Sequence, residues 1–109
     1  MTPDDGDNPS PDTSPPASAP VLTRSVTVPN TRGLHARAAA KFVMMAERFG
    51  ASVEVIRDGQ SVSARSIMGL MMLGAGKGAA IELRAEGWDA KEALDALAEL
   101  VESGFHEQE

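Results

Sequence analysis

The stretch Ser52-Val53-Glu54-Val55-Ile56-Arg57-Asp58-Gly59-Gln60-Ser61-Val62-Ser63-Ala64-Arg65 sets two short strand-like runs on either side of an Asp-Gly pair. Both residues of that pair tolerate positive φ, which a tight turn between twisted strands requires. The stretch therefore predicts a hairpin of Ser52–Arg57 with Gln60–Arg65. Upstream of it, Ala39, Phe42, Val43, Ala46 and Phe49 fall at helical spacing within Ala36–Phe49, and Gly50 closes the helix. Further back, Val26 and Val28 alternate with Ser25 and Thr27 in a strand that ends at Pro29 and Asn30. Downstream, Ser66 stands as an N-cap before the short apolar helix that runs to Leu73. Gly74, Gly76 and Gly78 mark a loop, and Ala80–Ala85 alternates again, with Ile81 and Leu83 opposite Glu82 and Arg84. Asp89 and Glu92 form a capping-box pattern opening a last helix, with Leu94, Leu97 and Val101 on one face. Trp88 is expected to pack at the start of that helix.

The order is βαββαβα. Half-polar strands suit an antiparallel sheet with one face in water. The fold class expected is α+β: an open-faced two-layer sandwich, its four-stranded, mainly antiparallel sheet covered on one face by three helices.

Composition sets the outer limits. The chain has 109 residues, ten Lys/Arg against sixteen Asp/Glu, a net charge of −6, two His and no Cys. No basic excess exists to release counterions from nucleic acid. Thiol nucleophiles and disulfide scaffolds are excluded, and the ligands are too few for an ordinary tetrahedral zinc site. No apolar run approaches the ~20 residues of a membrane helix. Residues 1–20 carry six of the seven prolines, four Asp, and no Lys, Arg, Val, Ile, Leu or aromatic residue. Such a segment is expected to be a disordered acidic tail, since it has too little apolar area to offset the entropy of ordering. Nor does it have the basic start and apolar stretch of a signal peptide. Residues 21–109 are then the folded domain, expected in the cytoplasm.

Few residues can carry chemistry. Gly33-Leu34-His35-Ala36-Arg37 stands at the loop-to-helix junction after the first strand. The first N–H groups of a helix lack intrahelical acceptors and favour an anion, phosphate above all. A histidine placed there can act as a nucleophile toward phosphorus, and Arg37 can offer a guanidinium to phosphoryl oxygens. Spacing alone leaves open that His35 is only a capping or exposed polar residue. Gly76-Lys77-Gly78 is not a phosphate-binding loop of the Walker type, because no Ser or Thr follows the lysine. His106 belongs to a charged, solvated chain end.

Two motifs together carry a resemblance. Gly33-Leu34-His35-Ala36-Arg37 is followed some thirty residues later by Ala64-Arg65-Ser66-Ile67-Met68-Gly69-Leu70-Met71-Met72-Leu73-Gly74, then by Ala75-Gly76-Lys77-Gly78-Ala79. This pattern resembles HPr, the histidine phosphocarrier of the bacterial phosphoenolpyruvate-dependent phosphotransferase system. The resemblance runs from about Leu22 to Ser103 and leaves out the tail. It implies a carrier rather than an enzyme with turnover, with no cofactor and no metal of its own. Enzyme I would pass a phosphoryl group to His35, at Nδ1. His35 would hand it to an enzyme II A-domain or a nitrogen-related homologue. Arg37 would stabilise the phosphoryl oxygens during transfer.

Most HPr proteins have proline after the motif arginine, and here the residue is Ala38. Alanine is the best helix former, so the departure implies a slightly less rigid loop with its function kept. Alanine-rich versions also occur in HPr-like proteins of nitrogen-related branches. Ser66 lies where many HPr proteins carry a regulatory serine, the target of HPr kinase/phosphorylase. Ile67, Met68 and Met71 are then candidates for an apolar patch that docks enzyme I and enzyme II, methionine being adaptable to several partners. Some of Leu70, Met72 and Leu73 must supply the core side of the same helix. The chain is expected to be monomeric. Two other classes compete: a regulatory HPr-like module acting through Ser66 with His35 idle, and a nucleic-acid-binding domain. The pairing of His35 with Arg37 argues against the first, and the acidic charge against the second.

Overall fold

The structure is a computed structural model that describes residues 20–107. Of the expected tail, all but Pro20 lies outside the described residues. The elements are β1 (Val21–Thr27), α1 (Ala36–Ala46), β2 (Ser52–Arg57), β3 (Gln60–Ser63), α2 (Ile67–Met72), β4 (Ala80–Glu86) and α3 (Ala90–Glu102), closed by a 3-10 turn at Gly104–His106. The order βαββαβα and the α+β class are as the sequence predicts.

The strands lie in the order β1-β4-β2-β3, with each neighbouring pair antiparallel. At the hairpin, Arg57 pairs with Gln60 across Asp58 (φ 51°) and Gly59 (φ 81°), the two positive angles that an Asp-Gly turn supplies. Alternation then decides the faces. Val26, Val53, Val55, Ile81, Leu83 and Ala85 are buried under the helices. Thr23, Ser25, Glu54 and Arg84 stand on the open face, where Glu54 and Arg84, opposite in register, make a 3.4 Å ion pair. α3 packs on β1 and β4, α2 reaches β3, and α1 packs against both other helices. Phe42, Leu70, Leu97, Val101 and Phe105 complete the core. Each large apolar side chain withdrawn there contributes about 1.5–3 kcal/mol before entropy.

Several boundaries differ from the expectation. β1 begins at Val21 because its backbone pairs with β4 as far as Glu86, beyond the reach of the apolar alternation. α1 stops at Ala46, where Arg48 N–H turns to Met45 O and Phe49 N–H to Ala46 O, the tightened bonds of a closing helix. β3 ends at Ser63, and buried Ala64 gives one last bond to Val53 O before the chain turns into α2.

Asp89 is a correction. It precedes α3, yet its side chain makes no capping bond there. It is only 5% exposed, and its two oxygens accept from Gly50 N–H (2.9 Å) and Ala51 N–H (2.8 Å). Two N–H donors in the turn between α1 and β2 thus find a carboxylate, a stronger claim on Asp89 than one helix end could make. Trp88 is a second correction: with Asp89 committed inward, its neighbour is left outside, 89% exposed. His106 is exposed, as expected. Among the described residues no helix is long and apolar enough to cross a membrane.

Candidate functional site

The loop before α1 is fixed from three directions. Buried Asn30 accepts Gly33 N–H at its carbonyl (3.1 Å) and donates from Nδ2 to Gly33 O (2.9 Å), closing a tight turn. Leu34 is buried, and its N–H donates to Ala75 O (3.0 Å), which ties this loop to the glycine-rich loop after α2. Gly33 has φ 67°, and a Cβ there would stand 2.4 Å from Ala75 O and 2.7 Å from Gly76 Cα. No side chain fits, so glycine is required at this crossing.

His35 comes next, as the N-cap residue of α1. Its backbone is extended (φ −73°, ψ 177°) and its carbonyl accepts Ala39 N–H (2.8 Å). No side chain caps this helix end. The leading N–H groups of α1 therefore point out beside the imidazole, carrying the partial positive charge of the helix. Arg37 follows in the same first turn, exposed, with no hydrogen-bond or ion-pair partner among the described residues. Ala38 is buried.

The imidazole is less exposed than an outward histidine at a helix start should be, its side chain retaining 14% of its accessible surface. Nε2 is bonded to Glu107 Oε2, and Glu107 Oε1 accepts Asn30 Nδ2 (3.1 Å). The His35 bond, with help from the Asn30 bond and the nearby Lys41 charge, holds the Glu107 carboxyl below its ordinary range against the opposing effect of burial. An ionised carboxylate only accepts hydrogen bonds. Nε2 is then the protonated nitrogen, and in the neutral ring the lone pair is left on Nδ1. Glu107 is brought here by the turn after α3, in which Gly104 (φ 68°), Phe105 (φ 59°) and His106 (φ 58°) all take left-handed angles. Burial of the Phe105 ring and a bond from Lys41 Nζ to Phe105 O (2.8 Å) hold that turn against α1.

Asn30 and Glu107 are the residues that reading the sequence missed. Glu107 is 72 positions from His35, and no local pattern marks it.

Ser66 caps α2 as predicted, its Oγ accepting Gly69 N–H (2.9 Å). Ile67, Met68 and Met71 are exposed, while Leu70 and Leu73 are buried. Of the three residues expected to share the core side, Leu70 and Leu73 take it and Met72 stays outside, 72% exposed. Met44 on α1 is also exposed.

Comparison with known proteins agrees with this fold. The family model described as the PTS HPr component phosphorylation site matches residues 22–103. The chain is 46% identical to phosphocarrier protein HPr of Cupriavidus necator over 89 residues, 82% of this chain and 100% of that protein. It is 44% identical to phosphocarrier protein NPr of Shewanella violacea over 86 residues, 79% of this chain and 94% of the relative. A crystal structure of HPr from Thermoanaerobacter tengcongensis superposes with a TM-score of 0.77 at 43% identity, over 81% of this chain and 99% of that one. The sandwich, the histidine at the open end of α1 and these matches lead to one conclusion: the chain belongs to the HPr family, the phosphocarrier proteins of the phosphotransferase system.

Proposed function

We propose that Nδ1 of His35 is the phosphoryl acceptor of this carrier. The observation that supports it is the occupation of Nε2 by Glu107 at an otherwise uncapped helix start. In the step proposed, the Nδ1 lone pair attacks the phosphorus held on enzyme I. The old bond to enzyme I breaks and a phosphoramidate forms. The next acceptor, an enzyme II A-domain or a nitrogen-related homologue, takes the group by the same exchange. Arg37 and the leading N–H groups of α1 stabilise the charge on the phosphoryl oxygens as it develops. No cofactor is needed, because the energy travels in the phosphoramidate bond.

Ile67, Met68 and Met71 are the docking patch for enzyme I and enzyme II in this reading. Ser66 is the site of regulatory phosphorylation by an HPr kinase/phosphorylase. The carrier works as a monomer in the cytoplasm. The division at residue 20, into an acidic tail and a carrier domain, belongs to the same proposal and rests on composition.

Incubation with enzyme I and labelled phosphoenolpyruvate tests the reading. Acid-labile, base-stable label on His35, lost in a folded His35→Ala variant, is the expected result. Label retained at the original level in that variant defeats it.

A further inference from the structure

The sulfur of this chain is distributed in an unusual way. There is no cysteine, and of the six methionines only Met1 lies outside the described residues. None of the other five is in the fully buried core, which is built from Phe, Leu, Ile, Val and Ala. Met45 packs part-buried against that core. Met44, Met68, Met71 and Met72 are 68%, 70%, 41% and 72% exposed. Three of these four lie on the six residues of α2, directly after Ser66, and the fourth is on α1, the helix against which α2 packs. A thioether in the interior is shielded from oxidants, whereas these four are open to them.

We propose that Met68, Met71 and Met72 on α2, with Met44 on α1, form a reversible oxidation site that turns the docking patch from apolar to polar. The inference rests on the docking role proposed above. The oxidant is a hydroperoxide. A sulfur lone pair attacks one peroxide oxygen, the O–O bond breaks, and an S–O bond forms. The other oxygen leaves with the proton as water or an alcohol. Sulfur loses two electrons and the peroxide gains them. Reversal needs a dithiol reductant, which gives two electrons and two protons, releasing water and becoming a disulfide; methionine sulfoxide reductases catalyse such a step. A sulfoxide is polar and chiral where the thioether was soft and apolar, so burying it against a partner carries a desolvation cost. The core has no methionine to lose, and the fold should survive the change.

The test treats the whole protein with hydrogen peroxide and maps the sulfoxides by peptide mass spectrometry. Transfer from enzyme I to His35 and the thermal midpoint are then measured before and after. Oxygen should appear on Met68, Met72 and Met44 first, on Met71 next and on Met45 last. The transfer rate should fall by on the order of tenfold with the midpoint nearly unchanged, since burying one unpartnered polar group costs enough for such a change. Sulfoxide reductases with a dithiol should restore the rate. A triple variant, Met68→Leu, Met71→Leu and Met72→Leu, compared with its own untreated rate, should lose far less. Sulfoxidised protein that transfers at its untreated rate would overturn the proposal, as would a loss that tracks unfolding or a triple variant that loses as much. Untreated protein that accepts no phosphoryl group would defeat the carrier reading, and this inference with it.

Discussion

Glu107 reaches across the fold to hold Nε2 of His35, so the last described residue of the chain sets the tautomer of the first residue of α1's cap. Asn30 holds the other carboxylate oxygen, so the imidazole is anchored through Nε2.

Glu107→Ala should leave His35 free to rotate and to exchange tautomers. Transfer from enzyme I should slow by about tenfold to a hundredfold, the range in which removing a group that orients a histidine acts. The variant should also change the acid limb of stability. The folded Glu107 carboxyl is held below its ordinary value of 4.5, so its contribution is present above that pH and is lost as pH falls through the folded value. Urea midpoints from pH 6 down to pH 3 should therefore fall more steeply in the parent protein than in the variant, over roughly that window. Parallel curves would show that Glu107 makes no difference to the fold.

Arg37→Ala removes an exposed guanidinium from the first turn of α1. Alanine suits a helix, so the thermal midpoint should hold. Loss of one well-placed donor to a developing oxyanion costs about 2.7–4 kcal/mol, which is a slowing of roughly a hundredfold to a thousandfold. Stopped-flow transfer from enzyme I, with His35 still labelled at the end point, would measure it.

Asp89→Ala should be among the most damaging single changes away from His35. It strips Gly50 N–H and Ala51 N–H of their acceptors, and Ala51 is buried. A buried donor left unsatisfied costs about 1–3 kcal/mol. A urea titration should show a loss of that order. An exposed helix-cap role would instead predict the smaller loss of about 1 kcal/mol.

Ser66→Asp places a charge at the start of α2, where the free N–H groups accommodate it, beside Ile67, Met68 and Met71. The thermal midpoint should stay close to that of the parent. Phosphorylation of His35 by enzyme I should slow, because an anion beside an apolar patch resists desolvation. Equal rates at low ionic strength, where the charge is least screened, would remove Ser66 from control of this surface.

Short-range chemistry was legible in the residues. The Asp58-Gly59 turn, the Ser66 cap and the valine alternation of β1 and β2 depend on neighbours a few positions away, and each forms as its own sequence dictates. The His35–Arg37 junction was legible for the same reason, since a helix start is a local event. Which of Leu70, Met72 and Leu73 face the core was not: on so short a helix, that is decided by the angle at which α2 meets β3 and α1.

Two carboxylates mark the boundary most clearly. By sequence, Asp89 is a helix cap and Glu107 belongs to a charged tail end. In the fold, Asp89 serves a turn 38 residues away and Glu107 serves a histidine 72 residues away. A carboxylate goes to whichever unsatisfied donors the packing leaves within reach. Local sequence determined the elements, the sheet's two faces and the place of His35 at the start of α1. Only the tertiary structure, by returning the end of α3 to the start of α1, decided which nitrogen of that residue is left free.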